Sequence, residues 1–133
     1  MKWTNEDIFI SDDKNLLDYD FIIKGLHTTY WAPGRPEKTI IASFEASTAL
    51  GVYDNNGQIG FARLVGDGFT FCWICDVYID PNHRGRGLSK FLMDCVMQHP
   101  ITQVKLKVLK TKNAHGLYEQ YGFTRSEYME QRS

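Results

Sequence analysis

The chain has 133 residues, of which 43% are hydrophobic and 23% charged, a composition that indicates one globular domain over residues 1–133 and excludes disordered, collagen-like and coiled-coil proteins. Its net charge of −1 argues against a nucleic-acid-binding protein, which needs many Lys and Arg side chains facing phosphates. No apolar run approaches roughly 20 residues, the length of a membrane helix. Glu6 and Asp7 precede any hydrophobic stretch, whereas a signal peptide has basic residues followed by an apolar run. We therefore expect a cytoplasmic protein without membrane contact.

The first half of the chain predicts two helices followed by an antiparallel meander. Apolar residues recur at helical spacing over residues 16–29, and a proline-containing loop separates this predicted helix from a second one over residues 37–46. Turn signals of glycine, aspartate and asparagine then divide the next region into three strands, at residues 50–53, 59–65 and 69–79. Strands joined by such short turns pair antiparallel.

The second half predicts a strand, a helix and a parallel strand. A polar loop over residues 80–87 precedes a helix whose apolar residues share one face, namely Leu88, Phe91, Leu92, Cys95 and Val96. A strand over residues 104–109 follows in a right-handed crossover, and then come a short helix over 114–121 and a last short strand over 123–129. The predicted fold is therefore α+β, with a mixed, mostly antiparallel sheet, a parallel βαβ crossover and flanking helices.

The three cysteines predict buried, reduced thiols. Their number is odd and no export signal precedes them, which argues against a disulfide framework. Cys72 and Cys75 form a C-x-x-C pattern, but they fall within a predicted strand, where positions i and i+3 point to opposite faces. We therefore expect core packing and no bound metal, because a zinc site would also need a second pair of ligands.

The loop between the third predicted strand and the following helix is the most informative stretch. A buried strand that opens into glycines and then a helix brings free backbone N–H groups to one spot, which suits an anionic pyrophosphate. Gly85 and Gly87 let the backbone approach phosphate oxygens closely, and Arg84 and Arg86 add positive charge. The alternative interpretation is a surface turn that is merely basic.

The residues of this loop exclude two common nucleotide motifs. A Walker loop needs Gly-Lys followed by Ser or Thr, which the chain lacks, and the dinucleotide pattern G-x-G-x-x-G fails because Lys90 stands at the third glycine. The run Arg84-Gly85-Arg86-Gly87-Leu88-Ser89 instead resembles motif A of the GCN5-related N-acetyltransferases (GNAT), with Ser89 in place of Gly or Ala. The run Leu117-Tyr118-Glu119-Gln120-Tyr121-Gly122-Phe123 resembles motif B of that family. The resemblance extends over residues 50–123.

The resemblance implies a site for acetyl-CoA and no metal. The motif A loop, residues 84–89, is implied to bind the pyrophosphate. Toward the pantetheine arm the family often has an asparagine, seven residues before the motif B tyrosine; Thr111 stands at that position here, and Asn113, two residues later, is the expected side chain. Tyr118 matches the family's general acid, which protonates the departing thiolate. One backbone N–H of the strand beside the arm would polarise the thioester carbonyl. The residues of that strand implied to pair with the arm are Val77, Tyr78 and Ile79.

The sequence leaves the group that deprotonates the acceptor amine open. Asp76 is the candidate base, and Tyr78 and His27 are alternatives that would act through a water. Asp76 can instead form a structural pair with Arg63. The base is therefore the weakest assignment of the predicted mechanism.

The acceptor is expected at the loop between the first two helices, which the family uses for this purpose. Tyr30, Trp31 and Arg35 lie there, and two aromatic rings with an arginine can hold a flat or aliphatic body and a carboxylate. The alternative is that Trp31 packs under neighbouring prolines while Arg35 is solvated. The sequence does not distinguish an amino acid, a polyamine, a drug or a protein lysine as the acceptor.

Together these features predict an N-acetyltransferase that transfers the acetyl group of acetyl-CoA to a primary amine, by direct attack, on a small-molecule acceptor. One alternative is an acyl-CoA-binding sensor without turnover, which would keep the glycine loop but would not need Tyr118. Another is an acetyltransferase of protein lysines or N-termini. The resemblance also allows a homodimer, because many relatives associate.

Overall fold

The computed structural model describes residues 1–133, which form one mixed sheet of six strands with helices on both faces. The strands are β1 (Lys2–Asn5), β2 (Ile8–Ser11), β3 (Thr48–Asp54), β4 (Gly57–Gly66), β5 (Phe71–Ile79) and β6 (Leu106–Leu109). The helices are α1 (Tyr19–His27), α2 (Glu37–Glu45), α3 (Leu88–Gln98) and α4 (His115–Glu119). Strands lie in chain order, and only the β5–β6 pair is parallel. The predicted α+β class is confirmed.

None of these helices is both long enough and apolar enough to cross a membrane.

The N-terminal residues form a β-hairpin that the sequence analysis did not predict. The turn between β1 and β2 places Glu6 in the left-handed region, at φ 54°. Ile8 and Ile10 are buried, and β2 pairs with β3, where the rings of Phe9 and Tyr53 stack 4.9 Å apart. The alternation of Ile8 and Ile10 was the available signal. That pattern is too short to predict a strand by itself. An isolated hairpin is only marginally stable, and this one is stabilised by the sheet that it joins.

The sheet separates two hydrophobic cores. The α3-face core contains residues of β2 to β5 and of α3, among them Ile10, Leu50, Val52, Leu64, Ile74, Leu92 and Val96. The α1–α2-face core is smaller and consists of Ile22, Leu26, Ala32, Ile40, Phe44, Ala49, Phe61 and Tyr78. Burial of these side chains on both faces supplies the main driving force that holds the helices to the sheet.

Two predicted elements differ from the structure. The first helix begins at Tyr19 rather than near residue 16, because the Asp18 carboxylate caps it by accepting a hydrogen bond from the Phe21 N–H at 3.1 Å. The predicted last strand over residues 123–129 is wrong, since no strand follows α4. The Met129 side chain is 97% exposed and does not pack against the core. β6 is therefore the edge strand of the sheet.

A β-bulge interrupts the pairing of β4 with β5. Arg63 lies opposite Cys75 and Phe61 lies opposite Tyr78, so that two residues of β5 face one residue of β4. The extra residue is Asp76, which has a φ of 50°, in the left-handed region. Ile74 and Val77, three positions apart, consequently pack against the same α3-face core, although an uninterrupted strand would point them to opposite faces.

Candidate functional site

An opening between β5 and β6 lies next to the bulge. The two strands pair in parallel only from Phe71 opposite Leu106 to Ile74 opposite Leu109. Beyond Ile74, the edge of β5 that faces β6 has no partner strand, while its other edge still pairs with β4. Backbone groups on the open edge are therefore available to a ligand. This stretch of β5 carries three of the predicted cofactor-binding positions, Val77, Tyr78 and Ile79.

Tyr78 lies on the stretch of β5 beside the opening, but its backbone groups face β4, because Tyr78 pairs with Phe61 two positions before the Asp80 N–H that donates to the Ile59 carbonyl, and its side chain is part of the α1–α2-face core. Its ring stacks on Phe61 with centroids 5.2 Å apart and lies near Phe21. Only 8% of the residue is exposed. The Tyr78 ring is therefore a core side chain, and its hydroxyl is not a candidate base.

The glycine loop presents a run of unpaired backbone donors. None of the six N–H groups from Gly85 to Lys90 donates a hydrogen bond within the protein. Gly85 and Gly87 have φ values of 82° and 74°, which favour glycine, and α3 begins directly after them at Leu88. The Leu88 side chain is buried, so this residue offers only its backbone N–H to the loop. Successive free N–H groups at the start of a helix form an anion-binding concavity.

The two arginines of the loop have different environments. Arg84 donates from Nε to the Ile79 carbonyl at 3.0 Å, and its guanidinium lies 5.8 Å from the centroid of the Tyr78 ring. Arg84 thereby ties the loop to the end of β5. Arg86 is exposed, and its Nη1 lies 2.9 Å from Nδ1 of His83. Arg86 and the neighbouring Ser89, which is also exposed, are accessible to an anion held by the loop.

The two tyrosines of α4 and its C-terminal turn have distinct surroundings. Tyr118 is half-buried against the α3-face core and lies edge-on to Phe123, and its Oη has no hydrogen-bond partner within the protein. Burial, with a smaller contribution from Tyr30, raises the pKa of Tyr118, so the phenol keeps its proton at neutral pH. Tyr121, in contrast, donates to Oδ1 of Asp94 at 2.6 Å. Tyr121 locks α4 to α3, whereas the Tyr118 hydroxyl is free.

Asp76 lies at the centre of a buried ion cluster. Its Oδ2 accepts from Nη1 of Arg35 and from Nε of Arg63, each at 2.8 Å, and its Oδ1 accepts from Nε1 of Trp31 at 2.9 Å. The Asp76 side chain is 1% exposed. Burial raises the pKa of Asp76, but the hydrogen bonds and charges of Arg63 and Arg35 outweigh burial and lower the pKa below its ordinary value. The carboxylate is therefore ionised and fully engaged.

The predicted acceptor loop connects α1 to α2 and is fixed from both sides. Trp31 and Arg35 bind Asp76 as described, and Nε2 of His27 lies 2.8 Å from the Arg35 carbonyl. Tyr30 and Trp31 remain 55% and 40% exposed, with ring centroids 5.0 Å apart. The three predicted acceptor residues thus come together beside the bulge. His27, an alternative base in the sequence analysis, is occupied in holding the loop.

Three residues of the loop between β6 and α4 complete the surroundings of the site. Lys112, which the sequence analysis missed, places its Nζ 5.1 Å from the centroid of the Tyr30 ring. No sequence signal pointed to it, because an exposed lysine between two elements has no distinctive spacing. Asn113, a predicted cofactor-binding residue, is exposed in the same loop. The neighbouring Thr111 accepts a hydrogen bond from the Ala114 N–H at 3.0 Å and thus helps to order the start of α4.

The cysteines lie outside this chemistry. Cys72 packs in the α3-face core, whereas the Cys75 thiol contacts the Arg63 carbonyl at 3.3 Å. Burial raises the pKa of Cys75 and of Cys95 to about 12 each, so both thiols are protonated at neutral pH. No group of three or more His, Cys, Asp or Glu side chains comes together as a metal site.

Comparison with known proteins agrees with this geometry. The family described as acetyltransferase (GNAT) domain matches residues 45–125, which include the bulge, the glycine loop and α4. The chain belongs to the GNAT acetyltransferase family. This finding confirms the resemblance drawn from the two sequence motifs.

The GNAT relatives include proteins of known structure. A GNAT-family protein from Xanthomonas campestris, provisionally named an acetyltransferase, is 39% identical, covers 95% of this chain and 93% of its own, and superposes with a TM-score of 0.90. Glucosamine-6-phosphate N-acetyltransferase from Arabidopsis thaliana is 15% identical, with 95% of this chain and 97% of that chain covered and a TM-score of 0.66. The second comparison bears on the fold alone.

A curated relative from Gibberella zeae, FG08082, is also provisionally named an acetyltransferase. It is 30% identical over a match that covers 68% of this chain. The matched region spans 63% of the length of that relative.

Proposed function

We propose that this GNAT-family chain is an N-acetyltransferase that transfers the acetyl group of acetyl-CoA to the primary amine of a small molecule. The observation that supports this proposal most directly is the combination of an open β5 edge with six unpaired N–H groups in the adjoining loop. One ligand with amide groups and a pyrophosphate matches both features. Acetyl-CoA is such a ligand, and it would supply an acetyl group activated as a thioester.

The residues present fit this ligand. The N–H groups from Gly85 to Lys90 would hold the pyrophosphate, with Arg86 and Ser89 at the rim of the loop. The open edge at Val77 and Ile79 would pair with the pantetheine amides. Asn113 is placed in the loop that follows β6, on the far side of the opening. A preorganised backbone N–H that polarises a carbonyl typically contributes about 10²–10³ in rate.

Tyr118 is the proposed general acid. Its Oη has no partner within the protein, and its raised pKa keeps the proton on Oη at neutral pH. A protonated phenol beside an opening can donate that proton to a thiolate as the thiolate departs. An acyl-CoA-binding sensor without turnover would not need this free hydroxyl.

Asp76 is proposed to position the acceptor loop rather than to accept a proton. Both of its oxygens are occupied, by Arg35 and Arg63 on Oδ2 and by Trp31 on Oδ1. A base in this place would have to take up a proton against two neighbouring guanidinium groups, which oppose protonation of the carboxylate. The cluster instead gives the loop between α1 and α2 one defined conformation.

Calorimetric titration with acetyl-CoA, beside dephospho-CoA and ATP, tests the cofactor. Saturable binding of acetyl-CoA without comparable binding of ATP is expected. Thiol release from acetyl-CoA in the presence of a panel of amines then tests turnover. Binding without turnover of any amine would support the sensor alternative. Absence of binding, in a protein that melts cooperatively, would contradict both assignments.

A further inference from the structure

The cluster around Asp76 carries more positive than negative charge. One carboxylate faces two guanidinium groups, those of Arg35 and Arg63, both within 2.8 Å of the same oxygen. Those two arginines are the only cations among the partners that set the pKa of Asp76. The three side chains therefore keep a net charge of +1 beside the opening.

Arg35 is the member of the cluster with donors to spare. Arg63 uses Nε for Asp76 and Nη1 for the Ser47 hydroxyl, and its side chain is 11% exposed. Arg35 uses only Nη1, and its side chain is 24% exposed. Its Nε and Nη2 have no acceptor within the protein. A guanidinium that is held in place by a buried carboxylate, with free donors at its outer side, is prepared to bind an anion.

A second cation lies across the aromatic surface of the same loop. The Lys112 ammonium lies 5.1 Å from the Tyr30 ring centroid, and no carboxylate pairs with it. A continuous series of contacts links this lysine to the cluster: Lys112 contacts Tyr30, the Tyr30 ring contacts the Trp31 ring, and Trp31 donates to Asp76. Lys112 lies in the loop that leads into α4, the helix that carries the proposed general acid Tyr118.

We infer that the acceptor is an amine that also carries a carboxylate, with Arg35 as the carboxylate-binding residue and Lys112 as a second cation that favours it. This inference rests on the proposed acetyltransferase function and narrows its acceptor. A cationic surface attracts the carboxylate of an amino acid and repels a polyamine, whose charges are all positive. The exposed rings of Tyr30 and Trp31 suit an apolar or aromatic side chain on the acceptor.

Matched acceptors test the inference directly. Thiol release from acetyl-CoA is measured with amino acids, with the corresponding amino acid amides, with phenethylamine and with spermidine. For at least one amino acid, kcat/KM is expected to exceed that of its amide by about tenfold or more, the usual effect of a charge-assisted hydrogen bond. Spermidine is expected to be the poorest acceptor. If kcat/KM for the amides or for spermidine equals that for the amino acids, the inference is overturned.

Variants of Arg35 and Lys112 show whether these two side chains are responsible for the preference for a carboxylate-bearing acceptor. Lys112→Ala is expected to raise KM for the amino acid and to leave KM for its amide nearly unchanged. Arg35→Lys, which also alters the contact with Asp76, is expected to raise KM for the amino acid more than KM for its amide. Lys24→Ala, which removes one exposed charge from α1, is the control and should change neither. Unchanged KM values in both site variants would overturn the assignment of these residues.

The same measurements separate this inference from the proposed function. Acetyl-CoA binding together with acetylation of neutral or cationic amines only would leave the acetyltransferase in place and overturn the carboxylate requirement. Failure to bind acetyl-CoA would overturn both.

Discussion

Nη1 of Arg35 and Oδ2 of Asp76 lie 2.8 Å apart although 41 positions separate the two residues in the chain. The contact joins the loop between α1 and α2 to the bulge of β5, and the Trp31 indole reinforces it by donating to the other oxygen of Asp76. The conformation of the acceptor loop is thus coupled to a single buried carboxylate. Loss of that carboxylate charge should affect both the stability of the fold and the binding of the acceptor.

Asp76→Asn is expected to destabilise the protein by about 3 kcal/mol, because it leaves two guanidinium groups without their counterion. Chemical denaturation measures this change, and Glu127→Gln, at an exposed acid in the C-terminal segment, is the control. KM for the acceptor should also rise as the loop loosens. A stable variant with normal KM and a greatly reduced kcat would instead indicate that Asp76 is the base.

The contribution of Asp76 should depend on pH with a defined sign. Its pKa is lowered in the folded protein, so protons bind more tightly to the unfolded chain. The stabilisation is complete above the ordinary carboxyl pKa of about 4 and is lost as pH falls through the lower folded value. The difference in unfolding free energy between wild type and Asp76→Asn should shrink in acid. Urea titrations across pH measure it, and a difference that grows in acid would contradict the ion-pair interpretation.

Tyr118→Phe and Tyr121→Phe form a matched pair that separates catalysis from stability. The Tyr118 hydroxyl has no partner within the protein, whereas that of Tyr121 donates to Asp94 at 2.6 Å. Tyr118→Phe should lower kcat about 10²-fold or more with a chemically limited amine and leave the melting temperature nearly unchanged. Tyr121→Phe should cost about 1 kcal/mol of stability and spare kcat. The reverse pattern would remove Tyr118 from the mechanism.

Gly87→Ala is expected to weaken acetyl-CoA binding. Gly87 has a φ of 74°, and alanine in that region is strained by about 1 kcal/mol, so the loop should shift and misdirect its N–H groups. Gly68→Ala is the control because Gly68, in the turn before β5, has a similar φ of 83° and open space around its Cβ position. Calorimetry should show a weaker affinity only for Gly87→Ala. Equal affinities in both variants would argue against a role of the loop in binding.

Local sequence signals predicted the parts of the molecule whose structure is set locally. The periodic apolar residues of α3, the glycines before it and the turns between β3, β4 and β5 all define elements within a few positions of themselves. The family's motif A falls at these glycines and the start of α3, and motif B falls at α4 and the turn after it, which the sequence also predicted as a short helix. Most of the sheet and the cofactor loop could therefore be predicted.

Features that depend on distant contacts could not be predicted in the same way. The β1–β2 hairpin is stabilised by pairing with β3, about 40 positions further along the chain. The engagement of Asp76 depends on Arg35 and Trp31, and the position of Lys112 depends on Tyr30. The strand predicted at residues 123–129 does not form, and no neighbouring strand pairs with that segment.

Because Asp76 is the extra residue of a bulge, the strand pairing of the sheet does not require it. Arg63 opposite Cys75 and Phe61 opposite Tyr78 are already in register on either side of the extra residue. A chain shortened by this one residue would have an uninterrupted ladder and would still direct Val77 and Tyr78 to their present cores. The strand register on either side of the bulge thus does not depend on Asp76, whereas the order of the acceptor loop does.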